Sequence, residues 1–404
     1  MFDDDLSRLS PAARRLLLAQ LLGAAPSPQP ARSPLSHQQR GLLVAQRFAP
    51  GSVAYNVAFG ARAPSDCRVT DLRAALELVV RRHRSLCAVY SRDDGHLPAW
   101  SVREPQPLDI RRTGECTWRR EELLHHVSQA AREPFDLSSG PLVRVEVVTT
   151  REGRYLVLFA HQLAADFWSL GVVLEELDRL YAASRSGKAV RQPPAEVQYE
   201  DYVRWQDALL RSPEGDRLWS YWQRTLAGEL PVLDLHGDRP RSSVRPRRSG
   251  RHRFMLGPGL TRGIRLLAAT ERTTAFSMVL AAVSALLHRH GGQEQLLLGS
   301  FAAGRGQPEF DDLVGCLANP VVLTVDVSGA PTFRELLQRS SRNVVEALEH
   351  QDYPFDLLVQ RLRPPRDGGR TPFFQVAVDW LQLTRPLGRA ATQPLAPAAA
   401  APSQ

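Results

Sequence analysis

At 404 residues, with 43% hydrophobic and 23% charged side chains, the chain has the make-up of a soluble globular protein too long for one ordinary core. At ~150 residues per domain, two lobes are expected. No apolar run approaches the ~20 residues that span a bilayer, and the opening Met1-Phe2-Asp3-Asp4-Asp5 lacks the basic region of a secretory signal, so a cytoplasmic setting without membrane contact is expected. The net charge of +8 comes almost wholly from arginine, since Lys188 is the lone lysine. The densest basic run, residues 239–253, holds prolines but no aromatic side chain. That composition suits an exposed loop rather than a base-stacking platform, so no nucleic-acid partner is expected.

In chain order, residues 1–33 read as an appendage. Ser10 and Pro11 suit a helix start, Leu16, Leu17, Leu21 and Leu22 form an apolar face up to Gly23, and a Pro-rich linker follows. The helix packs on its own domain or docks another chain. Residues 34–190 form the expected first lobe. Its elements are an extended run at 55–61, a helix capped by Thr70 and ending in basic residues to Arg84, and a second helix at 119–132. The pair His125-His126 within that second helix has no carboxylate at a useful offset and reads as a solvated face. Residues 142–149 alternate as a half-buried strand should, Glu152-Gly153 marks a turn, and a strand at 155–160 completes a hairpin.

The second lobe, residues 191–383, opens on a Trp- and Tyr-rich helix at 199–205. A very apolar helix spans 274–290 and stops at Gly291-Gly292, strands follow at 295–300 and 321–327, and a helix follows at 333–350. Alternation of helices and strands in both halves gives an α/β architecture. Residues 384–404, rich in Pro, Ala and Gln, are expected to lack fixed structure. The four cysteines form no C-x-x-C pair, which argues against a zinc ribbon or a redox motif.

The polar residues of the stretch HQLAADFWS, 161–169, fall where the strand at 155–160 gives way to a helix. On spacing alone, one His and one Asp five residues apart read as a core histidine and a helix cap. The surrounding sequence changes that reading. LSHQQRGLL at 35–43, RHRSL at 82–86, YEDYVRW at 199–205, VGCLANP at 314–320, HQDYPFD at 350–356 and RDGGRTPFFQV at 366–376 stand around it in a fixed order. Together these stretches resemble the condensation domains of nonribosomal peptide synthetases, and HQLAADFWS is similar to the family's H-H-x-x-x-D-G signature.

The resemblance implies two chloramphenicol-acetyltransferase-like lobes in a V-shaped pseudo-dimer, with the active site at their junction. It implies that donor and acceptor carrier proteins deliver phosphopantetheine-bound substrates and that neighbouring synthetase domains are partners. No Gly-rich loop has the strand-to-helix context for nucleotide binding, and His288 and His290 have no nearby carboxylate trio, so no intrinsic cofactor and no metal is expected. The resemblance implies amide bond formation between an acyl or peptidyl thioester and the acceptor's amine. Two departures bear on that activity. Gln162 stands at the position of the family's catalytic histidine, and Phe167 replaces the glycine. Leu43 replaces a tryptophan in the first motif, Arg84, Cys87 and Ala88 depart from the second, and the family's closing strand and helix are not evident after residue 376.

Thioester aminolysis needs an amine held in line and able to lose a proton, a site for the developing oxyanion, and exclusion of water. Glutamine can hydrogen-bond the amine but cannot take its proton, so the expected activity is impaired or altered. The alternative is a non-catalytic, degenerate domain that docks or gates carrier proteins. His161 points to the opposite side of an extended segment from Gln162, and the resemblance makes it structural. Asp166 at a helix start requires a cationic partner, for which Arg305 in the AAGRG loop is the candidate. Trp168 and Ser169 are expected to pack and to begin the helix.

Overall fold

In chain order the first half runs β1 (Arg32–Ser33), α1 (His37–Phe48), β2 (Asn56–Ala63), α2 (Val69–Arg82), β3 (Ala88–Tyr90), β4 (Trp100–Val102), β5 (Ile110–Cys116), α3 (Arg120–Ala130), β6 (Val143–Thr150), β7 (Gly153–His161) and α4 (Phe167–Arg185). The second half runs α5 (Tyr199–Leu210), α6 (Pro213–Thr225), α7 (Pro258–Thr270), α8 (Ala275–Gly291), β8 (Gln295–Ala302), β9 (Asn319–Asp326), α9 (Phe333–Glu349), α10 (Phe355–Leu362), β10 (Val376–Ala377) and β11 (Leu395–Ala399). This computed structural model describes residues 32–90, 99–105, 108, 110–186, 195–235, 252, 254–364, 371–381 and 395–399. The expected N-terminal helix, most of the basic loop and the expected boundary at 190–191 lie outside the described residues.

The first half is built on a five-stranded sheet of order β11-β2-β7-β6-β5. Period-two alternation sends Leu156, Leu158 and Ala160 of β7 towards α2 and α4, while Tyr155, Val157 and Phe159 pack with Leu123 and Val127 of α3. The neighbouring strand, expected to be half-buried, is instead covered on both faces, with Val143, Val145 and Val147 on one side and Val148 on the other. The reason is α3, which crosses the face that alternation alone would leave to solvent. The same crossing corrects the reading of His126. Its Nε2 lies 2.8 Å from Glu146 Oε1 on β6, and its ring lies 4.8 Å from that of Trp118. A carboxylate supplied by another strand is invisible to helical spacing.

The second half packs α6, α8, α9 and α10 around the sheet β10-β8-β9. Thr274 caps α8 by accepting from the Ser277 N–H, and Gly292, at φ 69°, ends it in the left-handed conformation that glycine adopts without strain. Thr70 does not cap α2; the helix already begins at Val69 with no side-chain cap, and Asp71 supplies the negative charge in its first turn.

Two expectations of unstructured chain are corrected. Arg32–Ser33, at the end of the expected linker, pairs with β4. Leu395–Ala399, within the expected structureless tail, pairs antiparallel with β2 and occupies an edge of the sheet that would otherwise be open. The register breaks between Leu395 and Ala398, around Pro397, which has no N–H to give to a ladder. A composition poor in strand formers concealed this strand.

A third apolar cluster joins the halves: Leu35, Tyr90, Trp100 and Leu142 pack with Tyr199 and Tyr202 of α5 and with Leu313 and Leu317. The site lies beside this cluster.

Candidate functional site

The corner after β7 is fixed residue by residue through its backbone. The His161 N–H donates to Leu142 O at 3.0 Å and the Gln162 N–H to Tyr55 O at 2.8 Å. Leu163 O accepts from Tyr90 Oη at 2.8 Å and from Gln39 Nε2 at 3.3 Å. The Ala164 N–H turns back onto His161 O at 2.9 Å, and the Asp166 N–H reaches Gly315 O at 2.8 Å. Gln162 is therefore clamped on both sides. Its half-buried side chain makes no hydrogen bond among the described residues, which leaves its amide available to a substrate.

His161 is buried, with Tyr55 and Phe135 packed edge-on around its ring. Its Nδ1 accepts from the Leu163 N–H at 3.2 Å, which places the proton of the neutral ring on Nε2. Burial lowers its pKa to about 4, so the ring is neutral at neutral pH. A side chain enclosed in this way supports the corner and is not presented to a substrate.

Asp166 is the N-cap of α4, and every direction of its buried carboxylate is used. Oδ1 accepts from the Ser169 N–H at 2.8 Å and from Ser169 Oγ at 2.7 Å; Oδ2 accepts from the Leu317 and Ala318 N–H groups, each at 3.1 Å. Arg305 closes the set as a fork, Nη1 to Oδ2 and Nη2 to Oδ1, both at 3.1 Å. Both side chains are 2% exposed. Burial pushes the Asp166 carboxyl up, but the Arg305 charge and these hydrogen bonds outweigh it and hold the carboxyl below its ordinary range. Arg305 also donates to Ala303 O, Leu313 O and Ser169 Oγ, and its guanidinium lies 5.5 Å from the Trp168 ring. Trp168 Nε1 donates to Asp311 O at 3.0 Å. This network ties the two halves together and contains no group poised to gain or lose a proton near neutral pH. Phe167, where a glycine was expected, packs on Phe59 at 5.1 Å between ring centres.

The ordered motifs converge on this junction. Ser36 caps α1 and its Oγ lies 2.8 Å from Tyr199 Oη, which donates to Cys316 O at 2.8 Å; Gln38 Nε2 donates to Tyr202 Oη. Ser85 Oγ donates to Val314 O at 2.8 Å. Gly315 approaches so closely that a Cβ there would lie 2.0 Å from the Tyr199 ring. Sequence reasoning found these stretches but missed the work of Gln39 and Tyr90 in holding the residue next to Gln162, because a hydrogen bond to a distant carbonyl leaves no local pattern. It also missed Asp356. The carboxyl of that residue lies against Gly41 of α1, where a Cβ would come within 2.2 Å of it. Among the described residues, no group of His, Cys, Asp and Glu is arranged to hold a metal ion. Nor is any single helix among them long and apolar enough to cross a membrane.

Comparison with known proteins places this geometry among relatives. A family profile described as Condensation domain matches residues 31–386. Phosphinothricin tripeptide synthetase PhsB of Streptomyces viridochromogenes is 38% identical over 358 residues, covering 87% of this chain but 30% of that synthetase. The first condensation domain of the calcium-dependent antibiotic synthetase, solved with a substrate analogue, superposes with a TM-score of 0.78 at 19% identity, over 90% of this chain and 84% of that one. The X-domain from teicoplanin biosynthesis, solved in complex with OxyB, superposes with a TM-score of 0.70 at 26% identity, over 87% and 78% of the two chains.

Proposed function

Since the chain belongs to the condensation-domain family of nonribosomal peptide synthetases, we propose that it forms an amide bond between an acyl or peptidyl thioester on a donor carrier protein and the amine of an aminoacyl acceptor on a second carrier, at an altered rate set by Gln162. The observation that carries this reading is the state of the corner. Its backbone is held by hydrogen bonds on both sides of Gln162, while the Gln162 side chain has no hydrogen-bond partner among the described residues. A corner kept in register with one free polar side chain is arranged to meet a ligand. The Gln162 carbonyl accepts a hydrogen bond from the attacking amine and aligns it on the thioester carbon, which is the positioning share of catalysis. The Asp166–Arg305 pair keeps the two halves in register and is not a reactant.

A second reading, a carrier-docking or gating module without chemistry, is favoured by one feature: glutamine cannot accept a proton. The OxyB complex of the X-domain shows that a relative of this fold can serve as a binding partner. Single-turnover amide formation with loaded donor and acceptor carriers separates the two. The expected result is product from the natural protein, with a rate increase in Gln162→His that stays below the ~10²- to 10⁴-fold range of a whole general-base contribution. Carrier binding without product in either protein overturns the catalytic reading in favour of docking.

A further inference from the structure

Two buried polar side chains stand opposite one another at the end of β7. His161 pairs with Asn56 in the ladder between β7 and β2, and the two residues are 1% and 2% exposed. The neighbouring ladder bond runs from the Gln162 N–H to Tyr55 O, while the His161 N–H turns away from β2 to Leu142 O. His161 and Asn56 therefore form a non-hydrogen-bonded pair, the arrangement that brings facing side chains closest, with Cβ atoms ~4.5–5.5 Å apart. Both lie on the face that α3 covers, since Phe159 and Ala58, two residues along each strand, pack with Leu123 and Val127.

The role of each polar atom is settled by the other bonds of its side chain. His161 Nδ1 accepts from the Leu163 N–H at 3.2 Å, so the ring proton sits on Nε2. Asn56 Nδ2 donates to Ala131 O and Glu133 O, so its remaining atom, Oδ1, is the carbonyl oxygen. Nε2 is a donor and Oδ1 an acceptor, and neither has a hydrogen-bond partner among the described residues. The second half shows the same staple closed by the protein itself. Asn319 Oδ1 accepts from the N–H of Phe355, two residues past Tyr353, whose carbonyl the same side chain holds. The corresponding position in the first half is Phe135, two residues past Glu133, but its N–H does not bond to Asn56 Oδ1. Ala302, opposite Asn319, has no side-chain donor to satisfy, whereas His161 does.

A buried donor and a buried acceptor left unpaired are both costly, and one small molecule between them satisfies both. Its chemistry is narrow. It must accept from Nε2–H, which a metal ion or an ammonium group cannot do, and it must donate to Oδ1, which a fully ionised anion cannot do. A hydroxyl group does both. The burial of the two side chains, with the Tyr55 and Phe135 rings packed edge-on around the imidazole, selects the smallest such molecule, water. We propose that one ordered water is bound at this pair, accepting from His161 Nε2–H and donating to Asn56 Oδ1. It joins the carbonyls past the end of α3 to the residue before Gln162, and it holds the imidazole in the tautomer that the Leu163 N–H requires. The inference is independent of the amide-forming reading.

The test uses the whole natural chain without substrate or carrier. A high-resolution crystal structure is expected to show one water within ~2.7–3.2 Å of both His161 Nε2 and Asn56 Oδ1. In solution, with isotope-labelled histidine, the His161 ring is expected in the Nε2–H tautomer at neutral pH, with a nuclear Overhauser effect from that proton to a water that stays bound longer than the molecule tumbles. His161→Phe keeps an aromatic ring in the enclosure but removes the donor, and both the density and the bound-water signal should be lost. If His161→Phe does not fold, the two measurements on the natural protein decide alone. Four results overturn the inference: a ring protonated on Nδ1, a direct bond from Nε2–H to Asn56 Oδ1, a Phe135 N–H bonded to Oδ1 as Phe355 is to Asn319, or well-ordered side chains with no water density between them.

Discussion

The two strand ends that meet at the junction, β7 at His161 and β8 at Ala302, are built on one plan and carry different chemistry. In the first half Asn56 stands opposite His161 in the ladder, and its Nδ2 donates to Ala131 O at 2.8 Å and Glu133 O at 2.9 Å, just past the end of α3. In the second half Asn319 stands opposite Ala302, and its Nδ2 donates to Gln351 O at 2.8 Å and Tyr353 O at 2.9 Å, just past the end of α9. Each half thus staples a helix end to the start of the strand beside its corner. Beyond the staple they diverge. The first corner runs from Gln162 to the carboxylate of Asp166. The second turns through Gly304, at φ 67° and with room for no Cβ, to the cation of Arg305. A shared backbone device has been given an anion on one side and a cation on the other, so the pair forms only when both corners are in place.

Breaking that division should produce the largest effect. Arg305→Met leaves the Asp166 carboxylate buried without its cation and is expected to cost about 3–5 kcal/mol in urea unfolding. Adding Asp166→Asn should recover part of the loss, because the buried charge is removed along with its partner; losses that simply add would show that the two corners are not coupled. The pH dependence follows from the direction of the shift. The Asp166 carboxyl is held below its ordinary range, so its contribution is complete above the unfolded-state carboxylate pKa and is lost as pH falls through the lower folded value.

The staples offer a gentler test of the common plan. Asn319 Oδ1 also accepts from the Phe355 N–H at 3.0 Å, whereas Asn56 Oδ1 is buried with no partner among the described residues. Both Asn→Ala variants should destabilise, since each strands buried carbonyls at about 1–3 kcal/mol. Asn319→Ala should be the more costly, because it also strands the donor that begins α10. Equal losses would mean that the third bond contributes nothing.

His161 and its opposite number Ala302 separate the halves by titration. The pKa of His161 is lowered to about 4 from 6.5, so between those values the unfolded chain binds a proton that the folded one excludes, and stability falls as pH falls. His37, also lowered to about 4 by burial and then by Arg40, adds to the same slope. His161→Phe should remove one proton's share, about 1.4 kcal/mol per pH unit, and leave that of His37. A stability profile that His161→Phe leaves unchanged would contradict the enclosure of the ring.

Much of this arrangement could be read from residues alone where the cause is local. The apolar spacing of α4 and α8, the turn at Glu152-Gly153 and the capping role of Asp166 all depend on neighbours in sequence. The pairing of Asp166 with Arg305 was accessible because a buried charge demands a partner and a Gly-flanked arginine in a loop could reach it. Contacts made across the fold had no such signature. Glu146 reaches His126 from another strand, Tyr90 and Gln39 hold Leu163 O from two different elements, and Asp356 reaches Gly41 from the opposite half. Leu395–Ala399 pairs by backbone hydrogen bonds that its composition does not advertise.

The smallest expected effect tests one of those hidden contacts. Tyr90 is buried, and its hydroxyl accepts from Gln39 Nε2 at 2.9 Å while donating to Leu163 O at 2.8 Å. Tyr90→Phe removes both bonds but leaves Gln39 to hold the same carbonyl, so the stability loss should be about 0.5–1.5 kcal/mol. At the second corner Ala303 O, one residue past the strand end, is instead held by Arg305 Nη1 at 2.8 Å. If Leu163 is held in order to keep Gln162 in line, Tyr90→Phe should slow amide formation while carrier binding stays unchanged. A stability loss with no change in rate would show that Tyr90 supports the fold and does not position the reacting residue.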